Sequence, residues 1–582
     1  MEKRVFLAIF LSFAVLAVYQ YYFAPKEPPR QGGAGQAPAA TPATTPAEAP
    51  QVAPGQAGQA TPGATATPTA APLVADTAAR DITVDTDTVT AVFTTRGAAL
   101  KSWKLKHYLE TDEVPGPNGA PTFTKNTLEF VPQHISDPFA RPLTLGTDDA
   151  AISATLRNAL YLPSVNSLSL GPSSGTLTFE YRDASGVNAR KTFQFQPDGK
   201  AYVVEIDAAI EAAGKSLPVV IEWGPALGLG YNPDGAREFP RRAIQFHDGK
   251  IDRLTASNLQ KQSRYEAPLR FAGVEDQYFL AAAMPNSPAR VDYQPISLPV
   301  PNDPQNRTRS FIAFGVRVAP GISMPFYMGP KDFDRLRAID PELTGAIDFG
   351  VFRFLVVPLL QALKWINGYV GNYGWSIILL TVFINLVIFP LRHRSMVSMR
   401  KMQALQPEVK SIQERYAKYK ITDPERQKMN AEMMALYKQR GVNPASGCVP
   451  MLLTMPVLFA FYSMLNGSIE LRGAPFIFWL HDLSAKDPYY VTPLVMGGTM
   501  FWQQRMMPST ADPVQQKMFL FMPLIFTFMF LPAASGLVLY WLVSNVLAIG
   551  QQYVTNRMIG APVRPVRAAA PRGKNGNAGS KT

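Results

Sequence analysis

The residues from Tyr373 to Leu391 read YGWSIILLTVFINLVIFPL, a run without a charged side chain that is long enough to cross a membrane as a helix. Apolar runs of the same kind cover residues 447–465, 490–506, 518–531 and 535–553, and we predict that all five are transmembrane spans. Several are shorter than the ~20 residues that a ~30 Å hydrocarbon core requires, which implies a thinned bilayer or partial burial. The sequence therefore predicts an α-helical membrane bundle.

Two further apolar segments belong to this predicted membrane region. Residues 351–370 carry Arg353 and Lys364 among apolar side chains, which favours an amphipathic helix on the membrane surface. Residues 1–23 are predicted to form an N-terminal transmembrane anchor. The alternative is a cleaved signal peptide, but bulky aromatic residues stand where such a peptide needs a small-residue cleavage site.

The remaining part of the chain divides into a linker and a β domain. Residues 24–80 consist mostly of Ala, Pro, Gly, Thr and Gln, a composition typical of disordered linkers. Residues 81–340 contain many short strands with Pro/Gly turns, and polar and apolar residues alternate along Thr176–Tyr181 and Thr192–Phe195. We predict an antiparallel β-sandwich there.

Basic residues give the predicted orientation. Net charge is +12, the loop at 392–443 is dense in Lys and Arg, and the tail at 561–582 contains no acidic residue. Both segments are therefore predicted to be cytoplasmic. Six spans, counting the anchor, place the N-terminus on the same side and the β domain outside the cytoplasm.

The loop at 392–443 is predicted to be a cytoplasmic helical hairpin, with arms at residues 395–419 and 424–440. Asp423 can cap the second arm and Pro424 can begin it. Met399, Met402 and Met433 belong to apolar stripes on the two arms. Such stripes pack a hairpin together in most cases, and the functional alternative is an adaptable surface for apolar segments.

Polar residues inside the apolar runs are the candidate site. Thr381 and Asn385 lie one helical turn apart in the first span, and Tyr540, Ser544 and Asn545 form a stripe beside Trp541 in the last. Ser and Thr are weak signals because their hydroxyl groups can bond to helix carbonyls. Asn385 is the strongest signal. Its side chain either stabilises the bundle by an interhelical hydrogen bond or lines a water-filled groove.

Motifs for catalysis are missing from the sequence. It contains no HExxH, no GxSxG, no Cys/His cluster and no P-loop, so we predict that the protein is not an enzyme and needs no cofactor or metal. The basic tail can contact ribosomal RNA or anionic lipid, and its role in topology explains it equally well, so we predict no dedicated nucleic-acid target. A transporter and a membrane-anchored binding or sugar-modifying module remain alternatives.

Several motifs resemble the YidC/Oxa/Alb family of membrane insertases, in its Gram-negative form with a large periplasmic domain. They are Asn443-Pro-Ala-Ser-Gly-Cys-Val-Pro450, Ala474-Pro-Phe476, His481-Asp-Leu-Ser484, Asp487-Pro-Tyr-Tyr490 and Ser535-Gly-Leu-Val-Leu-Tyr540, within residues 345–560. The resemblance implies an inner-membrane protein that inserts nascent membrane proteins and helps them fold. It also implies contacts with lipid, a secretion translocon and the ribosome.

The resemblance assigns residues as well. It implies a hydrophilic groove, open to cytoplasm and lipid, at Thr381, Asn385, Tyr540, Trp541, Ser544 and Asn545. It implies a sliding surface for apolar substrate segments at Met455, Leu458, Phe459, Phe526 and Phe530.

One position departs from the family pattern. Asn385 stands where the family commonly carries a groove arginine, and Arg392 and Arg394 follow at the cytoplasmic mouth. We therefore hypothesise that a charge-assisted step is weaker or relocated. An unchanged or reduced insertion of acidic-tailed substrates by an Asn385→Arg variant would count against this hypothesis.

Overall fold

The computed structural model describes residues 71–115, 121–131, 141–171, 173–196, 200–224, 241–285, 288–299, 308–419, 423–442, 449–506 and 513–559. The predicted anchor at 1–23, the linker up to residue 70 and the tail at 561–582 lie outside these residues. Within them, the chain is mainly β up to residue 330 and helical beyond it.

The strands, in chain order, are β1 (Pro72–Val74), β2 (Asp81–Asp85), β3 (Val89–Thr94), β4 (Ala99–Pro115), β5 (Pro121–Glu129), β6 (Thr144–Gly146), β7 (Leu162–Pro163), β8 (Ser167–Ser169), β9 (Gly175–Asp183), β10 (Val187–Phe195), β11 (Val203–Ala212), β12 (Lys215–Leu217), β13 (Val219–Trp223), β14 (Arg242–His247), β15 (Lys250–Leu254), β16 (Arg264–Ala267), β17 (Phe271–Glu275), β18 (Phe279–Ala283), β19 (Ala289–Pro299), β20 (Thr308–Val318) and β21 (Met324–Pro330).

These strands form one large sheet and two smaller ones. The eleven-stranded sheet runs β1-β9-β10-β11-β21-β18-β17-β14-β15, with β7 and β12 beside it. The five-stranded sheets run β16-β19-β20-β13-β6 and β5-β4-β3-β2-β8. The predicted antiparallel, sheet-rich region is confirmed, although one described pair, β2 with β8, is parallel.

Both small sheets pack against the large one through aromatic side chains. Phe93 of β3 lies 4.6 Å, between ring centroids, from Phe193 of β10. Trp223 of β13 stacks on Phe326 of β21 at 5.4 Å. Since aromatic rings bury large apolar areas, these contacts hold the layers together.

The alternation read from the sequence is present in the strands. In β10 every second residue from Val187 to Phe195 is buried. This pattern also places a lysine on the inner face. Lys191 is fully buried, and its Nζ donates hydrogen bonds to the Leu143 oxygen and, at 2.9 Å, to the Ala98 oxygen. Burial lowers the pKa of its ammonium group from 10.5 to about 7.

We expect Lys191 to make folding stability depend on pH. Between pH 7 and 10.5, the folded and ordinary pKa values, the unfolded chain keeps a proton that the folded chain has released. Stability therefore rises with pH in this window, by at most ~1.4 kcal/mol per pH unit. The Tm of the native protein, measured against that of a Lys191→Met variant from about pH 6 to about pH 10, should rise accordingly. A constant difference between the two Tm values would contradict this pKa.

A short strand precedes residue 81, the predicted boundary between linker and β domain. Pro72 and Val74 pair with Asp183 and Arg182 of β9, and Arg80 forms an ion pair with Asp76 at 2.6 Å. The domain therefore includes residues 72–80. Their small and polar composition conceals this edge strand, because its backbone hydrogen bonds rather than side-chain burial hold it.

The helices are α1 (Ala150–Asn158), α2 (Ala256–Leu259), α3 (Phe333–Ile339), α4 (Arg353–Val370), α5 (Tyr373–Ala404), α6 (Gln406–Arg415), α7 (Pro424–Gln439), α8 (Val449–Gly467), α9 (Val491–Met506), α10 (Pro513–Phe530) and α11 (Ser535–Ile559). Helix α4 packs against α5 and α8, α11 packs against α5 and α9, and α9 packs against α10. Of the described helices, α5 and the Ser535–Met558 part of α11 are long and apolar enough to cross a membrane, with mean hydropathies of 2.2 and 1.3.

The largest corrections to the predicted helices concern α5 and the segment after it. Helix α5 continues beyond the predicted end of the span at residue 391 and ends at Ala404, so the predicted arm at 395–419 is not one helix. The break falls at Leu405, before Pro407, whose ring cannot continue the hydrogen-bond pattern. The second arm begins as predicted, with Asp423 accepting a bond from the Glu425 backbone.

Smaller shifts affect the other helices. The predicted 351–370 begins as α4 at residue 353, after a 3₁₀ turn, while 447–465 and 490–506 correspond to α8 and α9. The predicted 518–531 begins earlier, as α10 at residue 513, and 535–553 extends as α11 to residue 559.

A buried ion network lies where the large sheet meets the helical part. The side chain of Glu275 is fully buried and lies 2.6 Å from Lys331 Nζ, 2.9 Å from Arg253 Nε and 3.2 Å from Arg242 Nη2. Arg253 also donates to the backbone oxygens of Gly345 and Ala346. The network therefore ties the sheet to the 3₁₀ helix Pro341–Ala346, which precedes α4.

Further direct contacts join the β domain to helices α3, α4 and the segment after α8. Lys364 of α4 lies 2.5 Å from Asp334 of α3 and 3.2 Å from Glu470, which follows α8. Arg472 donates to the Leu109 oxygen of β4 at 3.2 Å. The buried apolar side chains of the sheets and of the helices accordingly form one continuous cluster.

Candidate functional site

The polar side chains of α5 follow one face of the helix. Thr381 is fully buried, and its hydroxyl group donates to the Ile377 oxygen at 2.6 Å. Asn385 is half-buried, and its Nδ2 donates to the Thr381 oxygen at 2.8 Å. The Thr381 hydroxyl group is thus hydrogen-bonded within its own helix, whereas the Oδ1 atom of Asn385 can accept a hydrogen bond from another side chain.

That partner is Arg392 of the same helix. Its Nη1 donates to Asn385 Oδ1 at 2.7 Å, although the two residues are seven positions and about 10 Å of helix rise apart. The side chain therefore points back along the helix, and the residue is half-buried. A positive charge consequently lies beside Asn385.

Helix α11, which packs against α5, carries the other polar side chains of this site. Tyr540 is buried, and its ring stacks on Phe461 of α8 at 4.3 Å between centroids. Its hydroxyl group lies near the Ser544 side chain and within electrostatic range of Arg392. We call Asn385, Arg392, Tyr540 and Ser544 the polar cluster.

Two of the predicted groove residues on α11 face elsewhere. Asn545 is buried, and its Nδ2 donates to Thr499 Oγ1 of α9 at 3.4 Å. Trp541 packs against Phe530 of α10, with centroids 4.9 Å apart. A step of one residue turns a side chain by about 100° around a helix, so neighbours in sequence contact different helices. The structure therefore places Asn545 and Trp541 in contacts within the bundle.

Helix α11 carries further buried polar residues beyond those predicted from the sequence. Thr555 is fully buried, with its Oγ1 3.4 Å from Nδ1 of His393. Gln552 is also buried and donates to Asn556 at 3.1 Å. The spacing of Asn545, Gln552 and Asn556 was a usable signal, because residues seven and eleven apart share a helix face. Arg392 was considered only as a charge at the mouth, since its sequence position does not reveal which way its side chain points.

The residues assigned to the sliding surface are unequally accessible. Met455 and Leu458 are half-buried, and Phe459 is half-buried while stacking on Phe352 at 5.9 Å. Phe526 is half-buried, and Phe530 is buried against Trp541. The exposed apolar face of α10 consists of Phe521, Leu524, Ile525, Phe528 and Met529.

Helices α6 and α7 pack side by side around their own small core, separate from the main one. Met433 is buried in it, Met402 is packed against it, and Met399 is half-buried outside it. Ion pairs from Arg415 to Glu432 and from Arg440 to Glu408 join the arms. Packing between the two helices therefore accounts for the burial of Met402 and Met433, whereas the side chain of Met399 remains partly exposed.

The chemistry of the polar cluster is that of binding. It presents a guanidinium, a carboxamide and hydroxyl groups, which can pair with carboxylates, backbone carbonyls and water. Among the described residues, no group of three or more His, Cys, Asp or Glu side chains is arranged to hold a metal ion. The cluster suits a polar or acidic segment passing through an apolar environment.

The chain is similar to known proteins over nearly its whole length. The family model described as YidC periplasmic domain matches residues 81–362, and the one described as 60Kd inner membrane protein matches residues 365–561. The membrane protein insertase YidC of Citrifermentans bemidjiense is 38% identical over 96% of this chain and 100% of its own length. That of Syntrophus aciditrophicus is 35% identical with the same coverage. A crystal structure of an active YidC insertase matches 84% of this chain and 94% of its own at 16% identity, with a TM-score of 0.33.

Proposed function

The chain belongs to the YidC family of membrane protein insertases, and from this premise we propose that it passes the polar part of a nascent membrane protein along the polar cluster between α5 and α11. The observation that carries the proposal is the Arg392 side chain, which points back along α5 and donates to Asn385. A charged group is costly in hydrocarbon and is retained there for a purpose or a partner. Here its position suits the attraction of an acidic segment.

The physical advantage of such a cluster is a lower desolvation cost. A hydrophilic segment that enters pure hydrocarbon loses its hydrogen bonds to water, at several kcal/mol for each unsatisfied group. The half-buried Asn385 and Arg392 offer replacement bonds part of the way across. The hydrocarbon layer that remains is thinner, so the apolar segment of the substrate can drive insertion by its own burial. No nucleotide hydrolysis by the chain is required.

We propose that α5 and α8–α11 are the five spans and that residues 1–23 add a sixth. The basic residues of α6 and α7 support a cytoplasmic location for this helical pair, together with both chain termini. The β domain then lies in the periplasm, and α4 lies on the periplasmic surface of the inner membrane. The strongly apolar composition of α8 and α10 supports their assignment as spans, although each is shorter than the hydrocarbon core requires.

Apolar substrate segments are proposed to leave along α8 and α10. Met455, Leu458 and Phe459 contribute from α8, and the exposed face of α10 defined above contributes Phe521, Leu524, Ile525, Phe528 and Met529. These side chains match lipid in polarity, so a substrate helix can move past them into the bilayer without a large barrier. Met399, beside the helical pair, is proposed to contact the substrate first.

The partners proposed for the chain are nascent membrane proteins, the lipid bilayer, a secretion translocon and the ribosome. The first two follow from the polar cluster and from the apolar faces of the helices. The last two rest on the family resemblance alone.

Site-specific photocrosslinking tests the proposed path. A photoreactive residue at position 385 or 540 of the full-length protein should crosslink to the hydrophilic part of a stalled nascent membrane protein. Phe383 is the matched control, because it is 62% exposed and lies two residues from Asn385 on another face of α5. A probe at position 383 should crosslink lipid. Crosslinks to lipid alone from positions 385 and 540 would contradict the proposal.

A further inference from the structure

A tight turn at the end of α5 opposite to the helical pair presents two apolar side chains to the outside. The Phe476 backbone N–H donates to the Leu480 oxygen at 2.8 Å, and the Leu480 N–H donates to the Ile477 oxygen at 3.1 Å. Between these bonds, Ile477 is 40% and Phe478 is 79% exposed. We call residues 476–480 the apolar turn.

The apolar turn is fixed firmly to the helices beneath it. The ring of Phe476 packs on Trp375 at 5.6 Å and against Gly374, where a Cβ atom would collide with it. Asn372, which caps α5, donates to the Phe476 oxygen at 3.2 Å. The ring next to the tip is therefore seated on α5, and the tip itself is held away from the protein.

A buried carboxylate fixes the other side of the turn. Asp487 is fully buried and accepts bonds from Trp479 Nε1, from the Tyr489 backbone and from both the backbone and the hydroxyl group of Thr492. Trp479 in turn stacks on Phe478, with centroids 5.8 Å apart. The position of the tip is therefore set by the fold.

Phe478 adopts a backbone conformation that favours glycine. Its φ angle is +52°, in the left-handed region, where a side chain with a Cβ atom is strained. Apart from its stacking on Trp479, this strained side chain is 79% exposed. Strained backbone conformations of this kind cluster at functional sites.

We propose that Ile477 and Phe478 insert into the outer leaflet of the bilayer and fix the depth of the protein in the membrane. The tip continues the exposed apolar face of α5, which includes Trp375, Leu379, Phe383 and Leu386. Further exposed aromatic side chains belong to the segments at this end of the helices: Trp365, Tyr369, Tyr489 and Tyr490. Aromatic rings at this level are typical of membrane–water interfaces. The inference rests on the proposed orientation of the spans.

Spin labels at chosen positions measure the depth directly. Cys448 is the only cysteine, so a Cys448→Ser chain accepts single labels without background. The Phe478→Cys variant, labelled with a nitroxide and reconstituted without other proteins into phosphatidylethanolamine–phosphatidylglycerol vesicles, should be more accessible to oxygen than to a water-soluble nickel complex. A label at Leu162, an exposed apolar residue of the β domain, should show the opposite preference.

A third label separates this inference from the proposed function. Leu386 is 65% exposed on α5 and should report hydrocarbon if α5 spans the membrane. Hydrocarbon exposure at position 386 with water exposure at position 478 would overturn the lipid-inserting turn alone. Water exposure at both positions would also contradict the proposed spans.

A glycine substitution provides a test that does not endanger the fold. Phe478→Gly suits the left-handed backbone, so the apolar turn should keep its conformation. A label at Ile477 should nevertheless move toward water in this variant, because the main inserting ring is gone. An unchanged depth at position 477 would show that Phe478 does not insert and would overturn the proposal.

Discussion

Replacing Arg392 with glutamine is expected to slow the insertion of substrates with acidic translocated tails by about tenfold, because a charge-assisted hydrogen bond contributes about 1.5–3 kcal/mol. Glutamine can still reach polar neighbours, so the change removes mainly the charge beside Asn385. Arg392→Lys should retain a large part of the rate. Insertion is measured in proteoliposomes containing the full-length protein, as the fraction of a protease-protected tail over time.

Two controls isolate the charge effect. Arg394 lies two residues further along α5 and is exposed, so Arg394→Gln should leave the rate nearly unchanged. Substrates with neutral tails should be inserted equally well by the native protein and the Arg392→Gln variant. Equal losses for acidic and neutral tails would mean that Arg392 only supports the fold. The Asn385→Arg exchange would place a second guanidinium beside that of Arg392.

The sheet region was largely predictable from the sequence because alternating burial leaves a direct trace in it. Strands β9 and β10 enclose the two runs in which this alternation was recognised. The burial of Lys191 was not predictable, since a lysine within a strand normally faces water. The strand at Pro72–Val74 was not predicted because backbone hydrogen bonds to β9, which leave no pattern in the sequence, hold it in the sheet.

The helices were predictable as apolar runs, but their ends were less so. Basic residues after Leu391 indicated that the span ends there, although a helix can continue beyond its apolar run, as α5 does to Ala404. Asn385 was recognised as a candidate because an amide is costly in hydrocarbon. The hydrogen bond from Arg392 back along α5 to Asn385 could not be predicted. A long arginine side chain can point either way along a helix, and tertiary packing decides between them.

Removing the charge of Glu275 is expected to have the largest effect on stability. In Glu275→Gln, the cationic groups of Lys331, Arg253 and Arg242 remain close together without their shared carboxylate. Lys331 is itself buried, with 2% of its side chain exposed, so solvent cannot compensate. Breaking a buried ion pair by removing one partner costs about 3–5 kcal/mol. The Tm of the β domain should therefore fall by roughly 10 °C.

Thermal unfolding of the full-length protein in detergent, followed by the circular dichroism of the sheets, measures this loss. Glu266→Gln is the matched control, because Glu266 is exposed on β16 and should change the Tm little. A second consequence distinguishes the network from an ordinary core contact. Arg253 also holds Gly345 and Ala346, so Glu275→Gln should increase hydrogen exchange at residues 341–352, ahead of α4. If the sheets lost stability while exchange in this segment stayed unchanged, Glu275 would support the β domain without coupling it to the membrane helices.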